Sequence, residues 1–396
     1  MRISGVGCCV LDALYDVSPG EGEACMARHL SREHGDGGLV RGAAVLRRSL
    51  EAFAGRPVAE LVAEIGGGAP ANLKLGGVAA AAAIAAAQLL SGEGIEVRLY
   101  GNLSDDEDGA LVRRLLARTP VSTDRMGTRA GRFPRTYILN DRDAHGHGER
   151  SFICETGTSE ALAVAPGELD RDFFRSEVTL FSAMWWEPLL HADLTRLLRE
   201  CKRAGSVTVV STAFDPARGP VRSRWALGDS DEAYRYVDAL VMDRAEALLH
   251  SGEADLGPAL DFYRRAGVGA CVVTQGVDPV HYWSRGGTFA RADGQLPIPE
   301  AILRDKATGE LPTGDSVGCG DNFAGGMVAS IALQLRGGRG LSLPEAVFLG
   351  NLAGGIASTH SGGVLDERRP GEKRELVERY RRPYQAQLAG VGAGLP

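Results

Sequence analysis

The residues Gly314-Asp315-Ser316-Val317-Gly318-Cys319-Gly320-Asp321-Asn322-Phe323 set two carboxylates in a glycine-rich turn, ahead of an apolar stretch containing Met327, Val328, Ile331 and Leu335. Glycines there let backbone N–H groups approach a ligand, and the N-terminus of a following helix adds unpaired donors and partial positive charge. Such a turn suits an anion, above all a phosphoryl group in transit. Asp321 stands where a hydroxyl would meet that group, and its carboxylate can accept the hydroxyl proton. Phosphoryl transfer rests mostly on positioning and charge stabilisation, so the base need not be strong. The same residue types also serve as plain turn caps, Asp315 and Asp321 included.

A second glycine cluster, Gly66-Gly67-Gly68-Ala69-Pro70-Ala71-Asn72, offers close backbone approach and an amide that both donates and accepts, as a polyol requires. Pro70 and Asn72 fit the first turn of a helix equally well. Asp12 ends the apolar run that begins at Ile3. His145-Gly146-His147-Gly148-Glu149 would line one strand face as metal ligands. With no fourth ligand nearby, a solvated turn is the better reading. Trp185-Trp186-Glu187 follows a strand end, where buried aromatics are the commoner outcome.

The elements that must position these residues alternate between strand and helix. Arg2 to Asp12 reads as a buried strand and a glycine-permitted turn ending at the carboxylate. Residues 17 to 60 form an insertion that leads into a helical stretch, Val40 to Val62. The 66–72 cluster opens an alanine-rich helix running through Leu90. A strand at Val97–Tyr100 precedes the acids Ser104 to Asp108 and a helix over Ala110–Ala117. Residues 132 to 155 read as a β-hairpin. Apolar runs at Val178–Phe181, Val207–Val210, Ala239–Met242 and Cys271–Thr274 then alternate with helices, which indicates a mainly parallel sheet. Tyr282-Trp283 adds a strand, and helices run to Leu335 and from Pro344 to about Thr359. The chain divides into a large α/β domain (1–12, 67–131 and 156–370), lid or insertion segments (13–66 and 132–155) and a peripheral tail (371–396).

Composition narrows the function. The 396 residues are 44% hydrophobic and 24% charged, ordinary for a globular protein. Net charge is −7, and lysine occurs only at 74, 202, 306 and 373, which excludes nucleic-acid binding through a basic field. Seven cysteines without a CxxC pair point to a reducing, cytoplasmic setting. The Val78–Leu90 run is too short for a bilayer, so no membrane partner is expected. No GK pair is present for a Walker A loop, and no GxGxxG follows the first strand.

Asp315 to Phe323 resembles the second signature of the ribokinase-like (PfkB) carbohydrate kinases, and Gly67 to Asn72 resembles the first. The resemblance covers roughly residues 3 to 365. It implies an α/β fold with a mainly parallel central sheet flanked by helices and a small β-rich lid. It implies an anion hole at Gly318, Cys319 and Gly320, the cysteine replacing a frequent alanine, and a catalytic base at Asp321. Asp12, Gly67, Gly68 and Asn72 would bind substrate hydroxyls. Thr274-Gln275-Gly276 resembles the nucleotide-contacting turn. Asp243-Arg244-Ala245-Glu246 stands at the family's Asn-x-x-Glu motif, where Glu246 influences magnesium through water, with Asp243 in place of the asparagine. Gly101 to Gly109 is similar to the stretch after the third strand, Asp106 being its aspartate. Asn351 would wall the adenine. Carbonyls of Asp315 and Val317, with Ser361-Gly362-Gly363, would hold potassium. The implied reaction is phosphoryl transfer from ATP·Mg²⁺ to a small-molecule sugar in a cytoplasmic enzyme, with a homodimer through the lid. A nucleoside acceptor, ADP as donor, or a non-catalytic sensor of the same fold stay open, the last through Asp243.

Overall fold

The computed structural model describes residues 1–142, 148–155, 159–218, 223–390 and 392. A nine-stranded sheet forms the centre, in the order β14-β13-β12-β11-β10-β9-β1-β5-β6. Its strands are β1 (Arg2–Gly7), β5 (Glu96–Ser104), β6 (Met126–Arg129), β9 (Val178–Ser182), β10 (Val207–Ser211), β11 (Ala239–Asp243), β12 (Ala270–Gln275), β13 (Asp278–Ser284) and β14 (Ala292–Leu296). Pairing is parallel from β6 to β12, and β13 and β14 turn antiparallel. Every residue of β9 and of β10 is buried, because helices cover both faces. Val207 and Val209 feed one core while Val210 feeds the other. One face carries the alanine helix (Val78–Leu89), the signature helix (Cys319–Arg336) and the helix Leu343–Ala357. The alanine helix is buried from Ala79 to Leu89, and its small side chains let it lie flush between the sheet and the signature helix.

A five-stranded sheet, ordered β3-β8-β7-β2-β4, stands apart. It comprises β2 (Val10–Asp16), β3 (Ala44–Leu46), β4 (Asn72–Gly76), β7 (Arg135–Arg142) and β8 (Gly148–Cys154). Asp12 therefore lies inside a strand of the small sheet, not at the end of the first strand. The chain leaves the large sheet at Gly7 (φ 139°), passes through Cys8-Cys9 and re-enters as β2. Along β2, Ala13 and Tyr15 pack outward onto the insertion helices Glu21–Arg28, Arg47–Ala54 and Val58–Gly66. The single helical stretch expected over Val40–Val62 is instead β3 and two helices. Gly55 ends the first of them in the left-handed conformation, and Pro57 caps the second. Likewise β4 intervenes between the 66–72 cluster and the alanine helix, which begins only at Val78. His145 and His147 lie outside the described residues. The seven cysteines are unpaired. Among the described residues, no helix is long and apolar enough to cross a membrane.

The tail is a correction. Residues 371–396 were expected to be peripheral, yet a helix over Glu372–Gly390 buries Lys373, Val377, Tyr380, Tyr384 and Leu388 at helical spacing. Tyr384 stacks on Phe348 at 4.8 Å, and its hydroxyl meets Asn351 and donates to the carbonyl of Pro297. Tyr380 donates to Asp305 at 2.6 Å. Tyr384→Ala removes a fully buried ring and should lower the unfolding free energy by about 3–5 kcal/mol, read as a lower urea midpoint with unchanged slope.

Candidate active site

Asp12 reaches the site from the small sheet. It pairs with Lys74 of β4, and its neighbour on the same face, Leu14, packs on Val317 of the signature turn. The Asp12 side chain is 4% exposed, and among the described residues its carboxylate has no hydrogen-bond partner. Gly76 lies directly against that carboxylate; a Cβ there would overlap Asp12 Oδ2. Burial, then the charges of Asp321 and Asp315, push the Asp12 pKa up to about 8.

Asp321 reaches it from the large sheet, in the first turn of the signature helix. Gly318 caps that helix with φ 72°, and a Cβ there would stand 2.5 Å from the Gly363 Cα, so two loops meet backbone to backbone. Asp315 stitches them together. Its Oδ1 accepts from the Val317 N–H at 3.0 Å, and its Oδ2 accepts from the Ser361 hydroxyl at 2.9 Å and the Gly362 N–H at 3.1 Å. The Asn322 amide donates to the carbonyls of Gly318 and Gly363, each at 2.7 Å. The Asp321 carboxylate has no such partner among the described residues, and burial pushes its pKa up to about 6.

A cavity of about 110 Å³ adjoins this turn, lined by Thr212, Asp243, Glu246, Thr274, Gly320 and Asp321 among others. It opens at the carboxyl ends of β10, β11 and β12, where parallel sheets bind ligands. Glu246 Oε2 accepts from the Thr212 hydroxyl at 2.7 Å and from the Asp243 N–H at 3.1 Å. In return Asp243 Oδ1 accepts from the Glu246 N–H at 2.7 Å, which completes a capping box at the start of the helix Arg244–Ser251. Aspartate and asparagine cap equally well, so Asp243 keeps the local geometry an asparagine would give. Burial and the Asp243 charge hold the Glu246 carboxyl well above its ordinary range. Gly276 turns the chain after Thr274 with φ 64°.

A model of the pfkB family carbohydrate kinases matches residues 68–368. The chain belongs to this family. Solved structures with the same fold include adenosine kinase from Sinorhizobium meliloti, with TM-score 0.64 and 20% identity over 96% of this chain and 98% of that one. Ribokinase from Thermotoga maritima gives 0.59 and 18% over 96% and 99%. Fructokinase with bound ATP from Xylella fastidiosa gives 0.60 and 16% over 96% and 98%. The architecture described above is thus the ribokinase-like one, with its central sheet and second, smaller sheet.

The structure gathers Asp12, Asp315, Val317, Gly318, Cys319, Gly320 and Asp321, with Glu246 and Thr274 across the cavity. Other expected site residues fall elsewhere. Gly67 caps the end of the helix Val58–Gly66, and both Gly67 and Gly68 are exposed. Asn72 is exposed at the start of β4, opposite Leu14. The β2–β4 register places Gly76, rather than Gly67 or Gly68, on Asp12. Asn351 is 4% exposed, and its amide donates to the Tyr384 hydroxyl at 2.7 Å and the Pro297 carbonyl at 3.3 Å, so both donors are spent internally rather than on a nucleotide. Asp106 caps its helix through Gly109 and also accepts from the Phe133 N–H at 3.1 Å, a structural tie.

Sequence reasoning missed Gly76 and Thr212, and assigned Glu187 no role beside its tryptophans. Glu187 lines a small pocket with Cys9, Asn102 and Trp186, and burial pushes its carboxyl up to about 8. A glycine pair standing directly before an unbroken apolar helix was the signal for Gly76-Gly77. Gly76→Ala displaces the Asp12 carboxylate and is expected to raise the acceptor KM by about tenfold or more, with the melting temperature measured alongside as the control for folding.

Proposed function

We propose that this protein transfers the γ-phosphoryl group of ATP to a hydroxyl of a sugar or sugar-like acceptor, with Asp321 as general base. One observation carries the reading: Asp321, without a hydrogen-bond partner among the described residues, stands between the Asp12 carboxylate, likewise unpartnered there, and a phosphate-sized cavity. The two carboxyls differ in the way that assigns roles. Asp321, near 6, is ionised at neutral pH and can take a proton. Asp12, near 8, keeps its proton longer and can both donate to and accept from acceptor hydroxyls.

In the step itself, the acceptor hydroxyl gives its proton to Asp321 as its oxygen bonds to the γ-phosphorus. The bond from that phosphorus to the bridging oxygen breaks, and its electron pair leaves with ADP. Backbone N–H groups at Gly318 and Gly320 face the charge on the moving phosphoryl group, while that of Cys319 donates to the Ser316 carbonyl at 3.3 Å and holds the turn. Thr274 and Gly276 border the nucleotide phosphates.

The donor set fits a divalent cation, since Glu246 and Asp243 bring two carboxylates to the cavity wall with no cationic side chain among the residues lining it. Glu246 would hold magnesium through water, and the ion supplies neutralisation of phosphate charge. Potassium would sit on the carbonyls of Asp315 and Val317, in a loop that the Asp315 carboxylate braces through three protein donors. Activity is expected to fall when sodium or tetramethylammonium replaces potassium in the assay, and unchanged activity would remove that site.

A panel of sugars and nucleosides, assayed for ADP release with ATP and again with ADP as donor, tests the proposal. Asp321→Asn should lower kcat by about 10²–10⁴-fold while ATP still binds by calorimetry. If no acceptor stimulates turnover although ligands bind, the protein is a sensor and the proposal is wrong. Because the base must be ionised, kcat/KM should fall tenfold per unit as pH drops below about 6. A profile flat to pH 5 would remove Asp321 from the base role.

A further inference from the structure

We propose that Lys373, on the C-terminal helix, is a positioning residue for phosphoryl transfer: through Asn322 it fixes the turn that receives the phosphoryl group. The inference rests on the function proposed above and adds a residue from outside the signature, beyond the end of the matched family segment at residue 368.

Lys373 is fully buried, and its ammonium donates to Asn322 Oδ1. Asn322 follows Asp321 in the chain and is 1% exposed. An asparagine amide has two ends that are easily interchanged, and only its surroundings decide which way it points. A lysine ammonium can only donate, so it pins Oδ1 on its own side. The amide nitrogen is then turned toward the turn, where it donates to the carbonyls of Gly318 and Gly363. Those two carbonyls belong to the loops whose backbones meet at Gly318. The orientation of one amide therefore ties the anion-hole turn to the loop that backs it, and Lys373 sets that orientation.

The cost of placing an ammonium here argues against mere filling. Burial lowers the Lys373 pKa to about 8, and Glu367, whose Oε1 accepts from the Lys373 N–H at 2.8 Å, offsets part of that loss. A buried charge is retained where a single compact donor is wanted. The chain otherwise prefers arginine for its positive charge, with four lysines among 44 basic residues. Three of the four converge on this double loop. Lys306 donates to the Ser358 hydroxyl at 2.9 Å, and the Lys74 side chain lies beside Gly362.

The test compares wild type, Lys373→Met, Asn322→Ala and the double variant in the ADP-release assay, with ATP affinity by calorimetry and melting temperature for each. Lys373→Met should lower kcat by about tenfold or more and leave the KM values for ATP and acceptor within about twofold, since neither ligand touches the lysine. The double variant should be no slower than Asn322→Ala, because both changes cut one link. That non-additivity is a readout that a purely structural role would not give. Unchanged kcat in Lys373→Met, or losses that multiply in the double variant, overturns the proposal. If Lys373→Met does not fold, Asn322→Ala is read alone, and full kcat there overturns it. A wild type inactive toward every acceptor overturns the functional reading itself. An active wild type matched by an equally active Lys373→Met overturns only this inference.

Discussion

Two carboxylates, Asp12 buried and Asp321 half-buried, stand within Coulomb reach of each other, and among the described residues no side chain or backbone donor satisfies either. Leaving carboxyls without donors in a largely desolvated site is costly, and it persists only where surrounding packing over-determines it. The rest of the molecule supplies that packing. The signature helix is buried along almost its whole length between the alanine helix and the helix Leu343–Ala357. Asp315 spends its own charge joining the two loops, which leaves Asp321 as the carboxylate free to react.

Much of the large sheet was legible because its strands are continuous apolar runs. Val207 to Val210 has no other sensible reading once helical patterns flank it. The small sheet was harder to see for a physical reason. Its strands are short, and Asp12 breaks the apolar run of β2 with a buried carboxylate that packs against Gly76 rather than into an apolar core. An acid within a strand then looks like a strand end. β4 carries a lysine in its middle and follows Pro70, so local propensity hides it. The C-terminal helix was missed because five buried positions are scattered among many charged ones, and its apolar stripe includes a lysine.

The site shows the same split. The signature turn is contiguous in sequence, so its geometry follows from local glycine and helix-cap chemistry. The acceptor side is assembled across sheets, and nothing local tells Gly76 from Gly67. Only the pairing register of β2 with β4 selects it. Asp243 illustrates the reverse case: in the sequence alone it suggested decay of a metal site, whereas its backbone position shows a cap exchanging hydrogen bonds with Glu246.

The insertion also changes meaning once its place is known. Its helices lie on the outer face of the small sheet, against Ala13, Tyr15, Tyr137 and Leu139, while the opposite face carries Val10, Asp12 and Leu14. It therefore stiffens the sheet that carries Asp12 rather than lining the pocket; β3, through Leu46, reaches the inner face beside Trp186. The two chain crossings between sheets lie together, for a Cβ on Gly77 would stand 2.5 Å from the Cys8 carbonyl oxygen. Asp12 belongs to the small sheet and Asp321 to a helix packed on the large one, so the spacing of the two carboxylates is set by how the sheets meet at that seam. A stiff small sheet on that seam keeps the spacing defined, and the proposed phosphoryl transfer requires it, because positioning supplies most of such catalysis.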